Sequence, residues 1–154
     1  MGRLKQALRG HKVVALDTNC LIYYLEGKAW AGELRDAVFA PLERGEFCAV
    51  TSVLAIAEIL VRPKSLGRED VCREYLLLLS SYPNLEVVPV SLDIAVRSAD
   101  IRSEYRVRTP DAVHLATAAA RGATLFLTND LGLPERVGTV QVAFLRDVLP
   151  PNFQ

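Results

Sequence analysis

The sequence has few of the residues that build zinc centres, disulfide frameworks or membrane spans. Its 154 residues include three cysteines and two histidines, and no apolar run reaches membrane-spanning length. Cys20, Cys48 and Cys72 lie in apolar surroundings without CxxC spacing, so we expect reduced thiols that pack as small hydrophobic residues. These shortages argue against a structural zinc, a disulfide scaffold and a membrane protein.

An excess of charge of either sign is also missing. The chain carries 18 basic and 18 acidic side chains, and no lysine follows Lys64. Zero net charge predicts that any binding of nucleic acid depends on a local patch. The basic segment MGRLKQALRGHK is followed by no long apolar stretch, so we expect no secretory signal and a cytoplasmic protein.

The order of apolar segments predicts an α/β protein. Hydrophobic residues make up 51% of the sequence, which favours one domain, residues 1–154, with one buried core. The pattern predicts strands at 13–16, 47–50, 85–90, 124–127 and 140–144. It predicts helices at 20–26, 29–43, 53–61, 70–80, 92–105 and 110–121, with Thr109 as N-cap of the last. We therefore expect a three-layer α/β/α sandwich around a mainly parallel sheet, with ligands bound beyond the carboxyl ends of its strands.

Two of these strands run directly into an acid that stands beside a threonine and an asparagine. VVALDTN places Asp17 after one strand, and TLFLTND places Asp130 after another. Each acid also has an ordinary interpretation, because Asp17 can cap the following helix and Asp130 can be a turn residue. If the strands are parallel, both carboxylates lie at the same edge of the sheet.

Glu58 is the single charged residue of VLAIAEILV, a segment that is apolar on all sides. Such a helix is expected to be buried, where an unpaired carboxylate costs several kcal/mol or becomes neutral. A structural pair with Arg62 is the ordinary interpretation. A carboxylate that faces a polar site fits its isolation better.

Asp111 lies in the first turn of PDAVHLATAAAR, a helix that is otherwise nearly all alanine, valine and leucine. Complementing the helix dipole is its ordinary interpretation. His114 and Thr117 recur on the same face. We interpret His114 as a core or carboxylate-supporting histidine rather than a metal ligand.

The four acids together predict a metal site, provided that both helices begin at the same sheet edge. Two bare carboxylates ~4 Å apart repel by ~4 kcal/mol at an effective dielectric near 20, so a cation is expected between them. An all-oxygen set suits Mg²⁺ or Mn²⁺. We expect supporting contacts to the carboxylates or to metal-bound water from Thr18, Asn19, Thr128 and Asn129. With no Walker A or GxGxxG motif, this chemistry favours hydrolysis of a phosphodiester.

Four motifs give nearly the whole chain, about residues 13–144, a resemblance to the PIN-domain ribonucleases and especially to VapC-like toxins of toxin–antitoxin pairs. They are LDTNCLIYYLEG, SVLAIAEIL, TPDAVHLATA and LTND. The resemblance implies catalytic, metal-binding roles for Asp17, Glu58, Asp111 and Asp130, with Asp17 and Asp111 as principal Mg²⁺ ligands. It also implies an α/β/α sandwich, a homodimer, and a small antitoxin whose tail covers the active site.

We therefore expect a Mg²⁺- or Mn²⁺-dependent endoribonuclease that is the toxin of such a pair. Arg102, Arg106 and Arg108 lead into the Asp111 helix, and we weigh a solvated helix face equally with a rim that contacts RNA phosphates. The alternatives are a catalytically inactive PIN-like module that binds RNA or a partner, and a nuclease that processes RNA without being a toxin.

Two other classes of protein fit poorly. A haloacid-dehalogenase-type phosphatase needs a second acid two positions after the first, where this chain has Asn19. A response-regulator receiver domain needs a lysine after a late strand, and the last lysine here is Lys64.

Overall fold

The fold is organised around a six-stranded sheet with the order β3-β2-β1-β4-β6-β5, seen in a computed structural model that describes residues 2–151. The strands are β1 Val13–Leu16, β2 Cys48–Ser52, β3 Leu85–Val88, β4 Leu125–Thr128, β5 Arg136–Val137 and β6 Val140–Phe144. All neighbours pair in parallel except β5 and β6. The predicted mainly parallel sheet is thus confirmed, while both ends of the predicted domain lie outside the described residues.

Helices cover both faces of this sheet. Within residues 2–151 they are α1 Arg3–Leu8, α2 Thr18–Leu25, α3 Ala31–Leu34, α4 Ala40–Glu43, α5 Val53–Ser65, α6 Glu69–Ser81, α7 Leu92–Tyr105, α8 Thr109–Ala120 and α9 Leu145–Val148. A π-helical segment, Arg35–Phe39, joins α3 to α4. None of these helices is long and apolar enough to cross a membrane.

Alternation along the central strands explains the three layers. In β1, Val14 and Leu16 belong to one hydrophobic cluster and Ala15 to the other. In β4, Leu127 and Phe126 separate in the same way. Successive strand residues point to opposite faces, so an apolar strand such as VVAL requires cover on both sides. The predicted α/β/α sandwich is confirmed.

Proline affects two helices differently from the prediction. α5 continues to Ser65 with Pro63 inside it, whereas the prediction ended the helix at Val61. Pro63 is buried in the last turn, and the backbone N–H groups of Leu66 and Gly67 close the helix end behind it. The helix predicted at 29–43 contains Pro41, and the structure has a wide π-helical segment one turn before it, which accommodates the missing N–H.

Other boundaries differ by one or two residues. β3 ends at Val88 because Pro89 has no N–H for the sheet. α8 begins at Thr109 with Arg108 as its N-cap, so the prediction of Thr109 as the cap was wrong. The sequence pattern missed three short elements, α1, β5 and α9.

Two expectations about burial were also wrong. Cys48 is exposed, although Cys20 and Cys72 are buried as expected. α5 is apolar on all sides but is not buried, and Val53 and Val61 are 41% and 66% exposed. The helix packs against its neighbours on one side, which leaves an outer apolar surface uncovered within residues 2–151.

Candidate active site

The pairing of β1 with β4 brings the first and last predicted site segments together. The register aligns Leu16 with Leu127, so the residues that follow each of them, Asp17 and Thr128, lie side by side. The Thr128 hydroxyl donates to Asp17 Oδ2 over 2.6 Å. Thr128 itself is fully buried. The prediction that the two strand ends meet at one sheet edge is confirmed.

Asp17 is a buried carboxylate held by several donors. It is 7% exposed and caps α2, accepting a hydrogen bond on Oδ1 from the Thr18 backbone N–H over 2.8 Å. Asn19 Nδ2 approaches Oδ2 at 3.4 Å. The cap interpretation is therefore correct, and the cap fixes the orientation in which Asp17 meets its neighbours.

The two asparagines contact the end of strand β4 more closely than they contact the carboxylates. Asn19 Oδ1 accepts from the Asn129 backbone N–H over 3.1 Å. The Asn129 side chain donates to the Tyr23 hydroxyl over 3.1 Å and contacts no carboxylate among residues 2–151. Asn19, Thr18 and Thr128 contact acids as predicted, while Asn129 supports them through its backbone.

Glu58 reaches the site from α5 and is bound by two donors on one oxygen. Its Oε1 accepts from the Thr18 hydroxyl over 3.0 Å and lies 2.7 Å from His114 Nε2. The side chain is 41% exposed, so the expectation of a buried Glu58 was wrong. The alternative pair with Arg62 is also wrong, because Arg62 approaches Glu26 at 3.8 Å.

The contact between Glu58 and His114 changes the acidity of both groups. The hydrogen bond from His114 lowers the pKa of Glu58 below its ordinary value, against a smaller opposing effect of burial. Burial pushes the pKa of His114 down, but the hydrogen bond to Glu58 and the charges of Asp17, Glu58 and Asp111 leave it raised overall. Both shifts favour an ionised carboxylate next to a protonated ring.

Asp111 and Asp130 complete the acidic cluster. Burial raises the pKa of Asp111 above its ordinary value, and the charges of Asp130 and Asp17 raise it further. Asp130 Oδ1 accepts from the Gly132 backbone N–H over 3.0 Å, and its own N–H donates to the Thr128 hydroxyl over 3.0 Å. Thr128 contacts both the Asp17 side chain and the Asp130 backbone, which connects these two residues.

One arginine reaches two of these acids. Arg108 Nε donates to Asp111 Oδ2 over 3.3 Å, and its Nη2 lies 3.9 Å from Asp130 Oδ2. The Arg108 side chain is 79% exposed, which limits the stabilisation from either contact. It partly offsets the repulsion between the carboxylates from the solvent side.

The other two predicted RNA-contacting arginines differ from each other. Arg102 donates from Nε to the Val107 carbonyl over 3.1 Å and from Nη1 to the Thr109 hydroxyl over 3.0 Å. It therefore fixes the turn between α7 and α8. Arg106 is exposed and stands at φ 57°, in the left-handed conformation that ends α7.

The donor set fits a hard divalent cation. Four carboxylates supply only oxygen ligands, the chemistry that Mg²⁺ and Mn²⁺ prefer. Burial and then the charge of Asp130 raise the pKa of Asp111, and a nearby cation would favour its ionised form. Among residues 2–151, however, no three His, Cys, Asp or Glu side chains lie close enough together to hold a metal ion as they stand.

His114 is a buried histidine that supports a carboxylate, as the sequence interpretation expected. It stands one helical turn after Asp111 and is 3% exposed, so α8 presents both residues to the cluster. Thr117, the next polar residue of that helix, instead donates to the Val113 carbonyl over 2.7 Å. The spacing of His114 from Asp111 indicated that the histidine faces the site. The sequence could not identify its partner, because Glu58 lies 56 residues away.

Comparison with known proteins identifies the family. The model of the PIN domain matches residues 14–138, most of the chain, so the chain belongs to the PIN domain family. No curated protein sequence gives a significant match.

Three solved structures are similar to the chain. A toxin–antitoxin complex from Klebsiella pneumoniae is 29% identical, with 76% of this chain and 86% of that one covered and a TM-score of 0.57. VapBC2 from Rickettsia felis, bound to a promoter DNA fragment, is 17% identical, covers 86% and 98%, and has a TM-score of 0.67. Mycobacterium tuberculosis VapC20, a toxin that cleaves the sarcin–ricin loop, is 13% identical, covers 73% and 86%, and has a TM-score of 0.59.

The raised pKa of Asp111 predicts that Asp111→Asn stabilises the protein when metal is absent. A carboxyl whose pKa is higher in the folded chain destabilises that chain above the ordinary aspartate pKa, and the penalty disappears when the pH falls below about 3.9. We expect thermal unfolding in EDTA at pH 7 to show a Tm higher by about 1–3 °C.

Asp36→Asn is the matched control, since Asp36 is an exposed acid outside the four sequence motifs and pairs with Arg35. It is expected to leave the Tm unchanged or slightly lower. A Tm for Asp111→Asn below that of the wild type would mean that the contact with Arg108 outweighs the repulsion within the cluster.

Proposed function

We propose that the chain is a Mg²⁺- or Mn²⁺-dependent endoribonuclease and the toxin of a toxin–antitoxin pair. The observation that carries the proposal is that shared donors link acids from four separate elements. Thr18 donates to both Asp17 and Glu58, and Arg108 contacts Asp111 and approaches Asp130. Membership of the PIN domain family and similarity to structures of toxin–antitoxin complexes support the same assignment.

In this proposal Asp17 and Asp111 are the principal ligands, and Asp130 and Glu58 complete the set. The chemistry supplied by a bound Mg²⁺ is polarisation of a phosphate oxygen and a lowered pKa of coordinated water. The chain contributes the placement of its carboxylates. Thr18 joins two of them, because its N–H donates to Asp17 and its hydroxyl donates to Glu58.

The exposed arginines beside the acids suit the RNA backbone. Arg108 has most of its guanidinium in solvent, and Arg106 precedes it on the same exposed turn. A phosphate attracts such a guanidinium with paired hydrogen bonds. We assign phosphate contact to Arg106 and Arg108. We assign a structural role to Arg102 because two of its N–H groups bind the Val107 carbonyl and the Thr109 hydroxyl.

A small antitoxin and a second copy of the chain are the proposed protein partners. Exposed large apolar side chains concentrate on α5, α6 and the start of α7: Val61, Leu66, Leu76, Leu77, Leu78, Leu92 and Val96. Surfaces of this kind mark interfaces between proteins. The similar structures include VapBC and FitAB complexes bound to DNA, which supports an antitoxin that holds the toxin on its promoter in the cytoplasm.

Asp17→Asn is predicted to abolish metal-dependent cleavage while leaving the fold intact. Asparagine keeps the shape and one of the two acceptor oxygens, which bind the Thr18 N–H and the Thr128 hydroxyl, but removes the charge that binds a divalent cation. With structured RNA and Mg²⁺ or Mn²⁺, we expect the cleavage rate to fall by about 100-fold or more. Removal of a preorganised electrostatic group from an active site has an effect of this size. EDTA should abolish the wild-type activity.

Asp36→Asn is again the control and should cut RNA at the wild-type rate. Equal cutting by wild type and Asp17→Asn would place the activity elsewhere. No cutting by antitoxin-free wild type on several RNAs would favour the inactive binding module. Cutting without a growth defect on expression would favour an RNA-processing nuclease over a toxin.

Arg108→Gln is predicted to raise KM for RNA several-fold with a smaller change in kcat. A lost phosphate contact also reduces by about 1 the slope of log affinity against log salt concentration. Filter binding in Ca²⁺ at several salt concentrations measures that slope. Arg97→Gln is the control, because Arg97 is an exposed arginine of α7 that pairs with Asp93. An unchanged slope for Arg108→Gln would remove Arg108 from the RNA surface.

A further inference from the structure

We propose that His114 is a positioning residue for the cleavage reaction, and that its Nε2–H holds the Glu58 carboxylate at the acidic cluster. The inference rests on the proposed nuclease function and adds a fifth residue to the four acids. It assigns His114 no contact with RNA or metal, and it makes Glu58 the group through which His114 acts.

The ring nitrogen lies among three site residues. His114 Nε2 is 2.7 Å from Glu58 Oε1, 3.4 Å from the Thr18 hydroxyl and 3.9 Å from Asp17 Oδ1. The Glu58 contact is the shortest. His114 is 3% exposed in α8, a helix whose residues from Ala112 to Ala118 are all buried. The nitrogen is therefore fixed in position by the surrounding packing.

The chemistry of the pair sets the direction of the hydrogen bond. An ionised carboxylate only accepts, so the hydrogen lies on Nε2 of His114. The Thr18 hydroxyl donates to the same Glu58 oxygen. Both donors therefore occupy Oε1, and Oε2 has no hydrogen-bond donor among the described residues. Oε2 is the oxygen left for a metal ligand or its water.

Glu58 needs such a tether more than the other acids. Its side chain is 41% exposed and has three rotatable bonds, whereas the Asp17 and Asp111 side chains are 10% and 14% exposed. α5 has an uncovered outer surface, while α8 is buried. The hydrogen bond thus connects a partly exposed carboxylate to a buried helix.

Packing alone does not account for the histidine. His114 Nδ1 is buried and has no hydrogen-bond partner among the described residues. Buried polar atoms are normally paired, so a leucine would suit this helix better if stability were the only requirement. The contact with Glu58 is the compensating feature that the other ring nitrogen provides.

A matched pair of amides tests the assignment. The side-chain NH₂ of glutamine reaches the position of Nε2, and that of asparagine reaches only the position of Nδ1. We expect His114→Gln to keep kcat and Mn²⁺ affinity within a few-fold of the wild type. His114→Asn should lose about 10–100-fold in both, as removal of a ligand's hydrogen-bond partner does, with KM for RNA unchanged.

His114→Leu covers the case in which the asparagine variant does not fold. It removes the donor while filling the apolar surroundings, so we expect a Tm equal to or above that of the wild type and a loss like that of His114→Asn. Wild-type kcat and Mn²⁺ affinity in both His114→Asn and His114→Leu, which have no donor at the Nε2 position, would overturn the proposal. A loss in His114→Gln as large as in the donor-free variants would also overturn it.

A double-mutant cycle separates positioning from general structural damage. In a Glu58→Gln background, replacement of His114 by Gln or Leu should give the same Mn²⁺ affinity, because the group that His114 positions has lost its charge. The same fold-loss for His114→Leu in both backgrounds would show that His114 does not act through Glu58 and would overturn the proposal.

Calorimetric Mn²⁺ binding also distinguishes this inference from the proposed function. Wild type that binds Mn²⁺ but cuts no RNA would contradict the nuclease assignment, and the affinity difference between the Gln and Leu variants would still decide the role of His114. Wild type that neither binds Mn²⁺ nor cuts RNA would overturn both proposals.

Discussion

The main physical constraint on this structure is the electrostatic repulsion between several carboxylates at one edge of a sheet. Each acid comes from a different element, and the apolar strands behind them leave little water to screen their charges. The chain offsets part of this cost with donors: Thr128 and Thr18 on Asp17, His114 and Thr18 on Glu58, and Arg108 on Asp111. The raised pKa of Asp111 indicates that the offset is incomplete.

That incomplete offset connects stability with function. A cluster that were fully neutralised by its own side chains would have little affinity for a cation. A cluster without donors would push its acids apart or protonate them. Here the donors come mainly from the protein interior, while the exposed Arg108 is the neutralising group on the solvent side. In the proposed function, metal and RNA would reach the acids from this solvent side.

Much of the fold was predictable because strand patterns depend on local burial. Runs such as VVAL and LFL are apolar at every position, which requires cover on both faces and hence a parallel sheet between helices. The convergence of Asp17 with Asp130 followed from that topology. The extension of α5 through Pro63 was not predictable, since it depends on how the helix end is closed by Leu66 and Gly67.

The partners of the acids were harder to predict than the acids themselves. The contact of Glu58 with His114 joins residues 56 positions apart, and nothing in either local pattern specifies it. The exposure of α5 was wrongly predicted for the same reason. Its composition indicated a buried helix, but the packing of the helix decides which of its sides is covered. Arg102 is a similar case. Its position in an arginine-rich stretch suggested an RNA contact, but its hydrogen bonds to Val107 and Thr109 fix a turn.

The central claim is that the acids at the sheet edge bind a divalent cation. The most direct measurement is the anomalous diffraction of a crystal grown or soaked with Mn²⁺. The account predicts an anomalous peak with ligand oxygens from Asp17 and Asp111 at about 2.0–2.2 Å, the range for small hard divalent ions. A crystal with Mn²⁺ bound only elsewhere, or with no peak at the edge at millimolar Mn²⁺, would contradict it.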